Sequence, residues 1–436
     1  MLPFLILGAG YNMKRRRFFR NIGPILMLGV GGTLIAFIVI GLFTYVWSEV
    51  GLIHDKDGKM VHISLQDALM VGATLSATDV VCTLALVKEQ KTPRLHSILF
   101  GESASNDAIA ILLLASLEKV SIDQISAASV FTFIGEFLYN CITSTLIGVL
   151  FGALSAYITK KFRSLRDWPS RETAMLLYIA WIGYVVAELL DISGVICILA
   201  CAIVSGHYAM YNLSPAARIV SHNFFHFVGD ASEALVFAYL GLTAYSYNLF
   251  SVSYSFLFAL FGSTLIARFC GTIVISYIIT LLTCGKHDLG IKNLSIIWLG
   301  GVSRGGVSFA LILTITGEHA GVLQDAVLAL VILGTLVFGT VLPLWIMLMD
   351  VKESAGSVID PSHGHGGGHG ESHAPVEEVG KKGWLHRKWR NFDDNYIKKW
   401  LIHEDELREQ AKIRESMTRH RDEADGEIVP DDRVIH

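Results

Sequence analysis

Charged side chains are scarce in this sequence. Asp, Glu, Lys and Arg make up 17% of 436 residues, against 52% hydrophobic ones. A soluble domain carries nearer a quarter, so an ordinary soluble fold is excluded. Cysteine is sparse too. Cys82, Cys141, Cys197, Cys201, Cys270 and Cys284 all fall in or at the ends of apolar runs. They offer no disulfide framework, and buried thiols are the expected state. Cys197 and Cys201 stand four apart with no His or acid to complete a metal set. The opening "MLPFLILGAGYNM" has neither the basic n-region nor the small-residue cleavage site of a signal peptide.

What is present is long apolar runs. A bilayer core needs about 20 apolar residues per spanning helix. Ten such runs occur: 22–47, 65–87, 95–118, 129–158, 173–190, 192–210, 224–247, 253–283, 293–315 and 323–349. The chain reads as an all-α polytopic membrane protein. Residues 2–11 add only half a span, as if the beginning of a helix were missing, so upstream sequence is expected. Loops on one side carry sixteen Lys and Arg, from Lys14 to Lys292, and loops on the other carry three, Lys56, Lys59 and Lys119. Positive charge is retained in the cytoplasm, which places the sixteen-charge side and the C-terminal tail there. The sequons at Asn212 and Asn293 fall on that side, so no glycan is expected. The net charge of −4 is uninformative against this asymmetry, and no nucleic-acid partner is expected.

Composition divides the chain into a membrane domain, 1–350, a His/Gly-rich linker, 351–380, and a charged tail, 381–436. His363, His365, His369 and His373 could hold metal, but a Gly-rich segment without a scaffold reads as solvated linker. In the tail, Trp384, Trp389, Phe392, Tyr396 and Trp400 share one helical face. Three readings stay open for the helix 384–401: lying in the lipid interface, docking a groove-bearing regulatory partner, or packing on its own protein.

Five charges sit near the middles of spans, where each is expensive. Thr78 and Asp79 lie in "GATLSATDVV", whose small and hydroxyl residues let a membrane helix open. In "FGESASNDAIAI", Ser103 and Asp107 share one helix face, and Glu102 and Asn106 share the next. Carboxylate, hydroxyl and carbonyl oxygens suit a hard cation. A carboxylate in low dielectric also takes a proton more readily than in water. One group can then carry a proton or a metal cation, but not both. Arg268 is mid-span, where it can pair with Glu102. Arg304 lies in a second Gly-rich break, "LGGVSRGGVS". Two interrupted helices in separate halves point to inverted repeats around a binding site. For Glu188, Asp230 and Glu233, near span ends, a solvated role competes. Asp79 and Asp107 could form a proteolytic dyad, but the Gly-x-Gly-Asp signature of membrane aspartyl proteases is absent, so no enzyme is expected.

Ala77-Thr78-Asp79, Phe100-Gly101-Glu102-Ser103 with Asn106-Asp107, and the Gly-rich Arg304 segment together resemble the sodium/proton exchangers of the monovalent cation:proton antiporter superfamily. "HYAMYNLS" and "RNFDDNYIKKWL" are most similar to the organellar, endosomal branch. The resemblance implies the inverted-repeat antiporter fold with two interrupted crossing helices, a homodimer, and a six-helix core sliding against a dimerisation domain. It implies Asp107 as the exchanging carboxylate, with Asp79, Thr78, Ser103 and Asn106 shaping the ion site. Glu102 and Arg268 would tie helices, and Arg304 would balance the crossed half-helices. Asn beside Asp marks electroneutral exchange of Na⁺ or K⁺ for H⁺, with no cofactor beyond the transported ions. An endosomal or other organellar membrane is favoured over the plasma membrane. Three departures stand out: the short start, Gly8 where relatives place Glu, and Val80 where relatives place Pro. They keep a second reading open, a non-transporting homologue acting as scaffold or regulator.

Overall fold

The computed structural model describes residues 1–13, 18–19, 21–54, 60–87, 92–120, 127–246, 253–282, 290–317, 319–349, 392–406 and 408. The His-rich linker, Trp384 and Trp389 lie outside them.

The described chain is helical. In order come α1 (Leu2–Asn12), α2 (Ile22–Glu49), α3 (Leu65–Ser76), α4 (Val81–Leu86), α5 (Pro93–Lys119), α6 (Ala127–Lys161), α7 (Pro169–Leu189), α8 (Gly194–Asn212), α9 (Pro215–Ser246), α10 (Tyr254–Leu282), α11 (Ile291–Gly300), α12 (Gly306–Ile312) and α13 (Ala320–Met349). A short tail helix, α14, covers 393–401. Among the described residues nine helical stretches are long and apolar enough to cross a membrane, with α3 and α4 together making one of them. The tenth run, 293–315, is two pieces, α11 and α12, separated at 301–305.

Local chemistry sets the ends. Pro93, Pro169 and Pro215 each stand at a helix start, where a missing N–H costs nothing. Ser64 Oγ caps α3 by accepting from Asp67 N at 3.1 Å, and Ser214 Oγ does the same for Ala217 N at 3.2 Å. Glu188 is not simply solvated: its Oε1 accepts from Gly194 N at the start of α8, 3.1 Å away.

The helices sort into two groups. α1 packs on α8 and α9, and α6 packs on α7 and α8. The second group holds α2–α5 and α10–α13. Within it one order occurs twice: continuous, broken, continuous helix (α2, α3/α4, α5; then α10, α11/α12, α13). That is the inverted-repeat plan the two breaks suggested. Apolar side chains such as Phe131, Leu146, Leu150 and Leu242 face outward, as a lipid surround requires.

α1 is seated by close approach to α9. A Cβ on Gly8 would fall 2.7 Å from Phe225 O and 3.0 Å from Gly229 Cα. Any larger residue there would lift α1 from α9. Phe4 stacks on Trp181 at 4.8 Å, and Tyr11 Oη donates to Ser221 Oγ at 3.0 Å.

The tail helix packs on its own protein. Leu401 and Ile402 are buried. Lys160 Nζ donates to Lys399 O (2.8 Å) and Trp400 O (2.9 Å) at the C-terminus of α14. Glu406 accepts from Arg166 (2.6 Å) and Arg218 (2.9 Å), and Asp405 from Arg163 (2.9 Å). Asn212 ties both sides: its Nδ2 donates to Leu401 O at 2.8 Å and its Oδ1 accepts from His403 N at 3.0 Å. Its amide is fully engaged and buried, which gives the sequon there a physical reason to stay bare. Phe392, Tyr396 and Trp400 remain exposed, Trp400 stacked on Tyr157.

Candidate functional site

The broken helices cross at their breaks. Asp79 N donates to Ser303 O at 2.9 Å, linking the two unwound stretches. Arg304, fully buried, donates from Nη1 to Gly301 O (3.0 Å) and Ala77 O (3.3 Å), and Ser308 Oγ donates to the same Ala77 O at 3.2 Å. These carbonyls are the orphaned C-terminal ends of α11 and α3, where a helix dipole favours a cation. Asp79 sits at the other kind of end. Its Oδ1 accepts from Val81 N at 3.0 Å, at the start of α4. The chain opens here without a proline: Ala77 is extended (φ −63°, ψ 130°) and Val80 takes φ −102°, ψ 8°. Gly305 makes room for the crossing, since a Cβ there would fall 2.5 Å from Asp79 Oδ2.

The two faces of α5 do different work. Glu102 is buried and paired with Arg268 of α10, whose Nη2 also reaches Ile297 O at 3.3 Å. Asn106, on the same face, turns to the break. With its amide oriented to satisfy both ends, Nδ2 donates to Ser76 O and Thr33 Oγ1, each at 3.0 Å. Its Oδ1 accepts from Thr78 N (3.1 Å) and Thr78 Oγ1 (2.6 Å). The hydroxyl proton of Thr33 is committed to Gly29 O, so Thr33 can only accept from Asn106. All the bonding capacity of the carboxamide is used.

Ser103 and Asp107, on the neighbouring face, line a cavity of about 380 Å³. Thr78 and Asp79 line it as well. Of the five residues expected to shape an ion site, four therefore share this cavity, and Asn106 stands behind its wall. The cavity lies between the helix groups, with α1 and α9 on one side and the break after α3, α4, α5 and α12 on the other. It also exposes His96, His222, His226, Asp230 and Glu233. Asp230 and Glu233 thus line the cavity, and Asp230 remains solvent-exposed as well. The His residues were not singled out from sequence, although His222, His226 and the acidic Asp230 recur at helical spacing on α9. Thr33 was also missed, because a lone Thr in an apolar run gives no signal.

A family model described as "Sodium/hydrogen exchanger, transmembrane" matches residues 1–348. Sodium/hydrogen exchanger 1 of Oryza sativa is 32% identical over 355 residues, covering 78% of this chain and 65% of that protein. Human sodium/hydrogen exchanger 9 is 30% identical over 415 residues, covering 92% of this chain and 63% of that protein. This chain thus spans a little under two thirds of their lengths. Among solved structures, the sodium proton antiporter MjNhaP1 from Methanocaldococcus jannaschii aligns with a TM-score of 0.56 at 17% identity, over 80% of this chain and 83% of that one. That likeness fixes the fold as a helical cation/proton antiporter fold.

Proposed function

We propose that this chain, which belongs to the sodium/hydrogen exchanger family, is an electroneutral antiporter exchanging Na⁺ or K⁺ for H⁺. The observation that carries the reading is one cavity wall. It brings the Asp107 carboxyl and the Ser103 hydroxyl from α5 together with Thr78 and Asp79 from the break. Oxygen donors of this kind suit a small hard cation, and Asp107 binds either the cation as carboxylate or a proton as acid. Occupancy by one excludes the other, so each is carried only against the other.

Transport needs the site exposed alternately to the two sides. The position of the cavity between the helix groups supports a sliding of α2–α5 with α10–α13 against α1 and α6–α9. Asn106 contributes no charge and holds the break, which supports one cation per proton. In this reading Asp107 exchanges, Asp79, Thr78 and Ser103 surround the ion, Asn106 fixes their spacing, Glu102–Arg268 ties α5 to α10, and Arg304 neutralises the crossing. The protein works as a homodimer in an organellar membrane, with its tail in the cytosol, and alkalinises an acidic lumen. The scaffold reading loses its main support. Val80 still permits the break, and Gly8 is what the α1–α9 contact demands.

The test is ²²Na⁺ or ⁸⁶Rb⁺ uptake into proteoliposomes under an imposed pH gradient. The wild-type chain is expected to couple uptake to proton efflux, and Asp107→Asn to abolish it while remaining folded. Coupled flux persisting in Asp107→Asn would overturn the assignment.

A further inference from the structure

One face of α9 carries Arg218, His222, His226, Asp230 and Glu233, spaced four, four, four and three residues apart. These spacings stack side chains along one side of a helix. The upper rung, Arg218, is bound by Glu406 of the docked tail at 2.9 Å. The lower four all line the cavity that holds Asp107 and Asp79. His226 Nδ1 and Asp230 Oδ2 are 2.8 Å apart, and the rings of His222 and His226 stand edge to face at 6.4 Å. The ladder runs from the tail-bearing end of the bundle down the cavity wall to the level of the break.

We propose that His226, paired with Asp230, is a proton-relay station between bulk water and the cavity carboxylates. The proposal rests on the exchanger reading and adds to it the route of the proton. The two side chains are 61% and 66% exposed and both line the cavity, so the pair stands where the cavity opens. An imidazole ring can accept a proton at one nitrogen and pass one on from the other. A cavity of about 380 Å³, lined by both the pair and Asp107, has room for on the order of ten waters. The proton leaves the imidazolium for this water and reaches an Asp107 oxygen, and the imidazole is then reprotonated from bulk.

Magnitudes say when this matters. At pH 8 the free proton is at about 10⁻⁸ M. Encounter constants of about 10⁹–10¹⁰ M⁻¹ s⁻¹ then deliver on the order of 10–100 protons per second to a lone carboxylate. Ordinary turnover numbers run from about 1 to 10³ s⁻¹, so delivery from bulk becomes limiting on the alkaline side. An imidazole at the mouth escapes that limit because it also takes protons from the buffer acids of the medium, present at about millimolar concentration, and hands them inward through the cavity water.

Among the described residues, neighbouring elements bring further titratable groups toward this stretch of α9. From the break and α5 come Asp79, Asp107 and His96, on the same cavity. From α1, Tyr11 donates to Ser221. From α7, Glu172 is turned onto Ser214 N and Oγ. α12 presents no titratable side chain.

The experiment records Na⁺-driven proton flux in proteoliposomes from acid to alkaline pH for wild type, His226→Gln and His222→Gln/His226→Gln. His54→Gln, in the loop between α2 and α3, is the control. The expected result is wild-type flux at acid pH and a loss of about tenfold at alkaline pH for the His226 variants. Millimolar imidazole in the medium is expected to restore the lost flux, which a purely structural defect would not allow. Wild-type flux across the whole range in the double variant overturns the proposal. So does an equal loss at every pH that imidazole does not rescue. Failure of the wild-type chain to exchange at any pH sinks the exchanger reading itself and is distinguishable from either result.

Discussion

Asn106 shows how far one carboxamide can determine a site. Its Nδ2 faces two acceptors, Ser76 O and Thr33 Oγ1. Asn106→Asp puts an acceptor-only group against them, leaving them unsatisfied in a buried place at about 1–3 kcal/mol. A lowered melting temperature is expected, together with weakened cation binding. An unchanged melting temperature would show that the break does not depend on this residue. Glu102 and Arg268 make a comparable case. Removing one partner of a buried pair costs roughly 3–5 kcal/mol because the other charge is left uncompensated. Glu102→Gln with Arg268→Gln should therefore recover stability lost by either single substitution, and additive losses would contradict the pairing. At this scale the sequence was informative about residue types and not about directions. The spacing of four separated Ser103/Asp107 from Glu102/Asn106. It could not say which face meets the cavity and which is spent holding helices, because that depends on where α2 and α10 lie.

At the scale of elements, the tail clamp is the largest feature that hydropathy could not reveal. The aromatic stripe marked the helix, yet the docking runs through Leu401, Ile402 and charged partners, while Phe392, Tyr396 and Trp400 stay exposed. Partners more than 180 residues apart, such as Asn212 and Leu401, leave no trace in any short window. The helices of the membrane domain were legible because each apolar run must satisfy its own backbone. Even so, hydropathy alone did not divide 293–315 into α11 and α12; the Gly-rich Arg304 stretch did. Asn212→Ala is expected to release residues 392–406, seen as faster amide exchange and proteolysis there, with the membrane helices intact. Acid should loosen the same contact. The hydrogen bond from Arg163 holds the Asp405 carboxyl below the usual carboxylate range. A depressed carboxylate contributes above its unfolded value, roughly pH 4, and its contribution fades as pH falls below that. Amide exchange in 392–406 rising at pH 3 but not between pH 5 and 8 would agree; a change confined to the neutral range would not.

For the whole molecule, the proposed exchange cycle should move no net charge, as the family resemblance implies for Asn106 beside Asp107. Flux in proteoliposomes should be insensitive to an imposed membrane potential, and a steep voltage dependence would exclude one-for-one exchange. The crossing of the two broken helices bears on how such a molecule is made. Ala77 O, Asp79 N, Ser303 O and Arg304 satisfy one another across the crossing, and no proline in either unwound stretch forces the chain open locally. An unpaired backbone group in the bilayer costs several kcal/mol. Until its partner arrives, each segment is therefore better off as an uninterrupted helix. During biosynthesis residues 65–86 enter the membrane more than 200 residues before 291–312 are made. The first break then waits, closed, for most of the chain to be translated. The candidate site then comes into being late, in one step, when the second segment inserts and both helices open against each other.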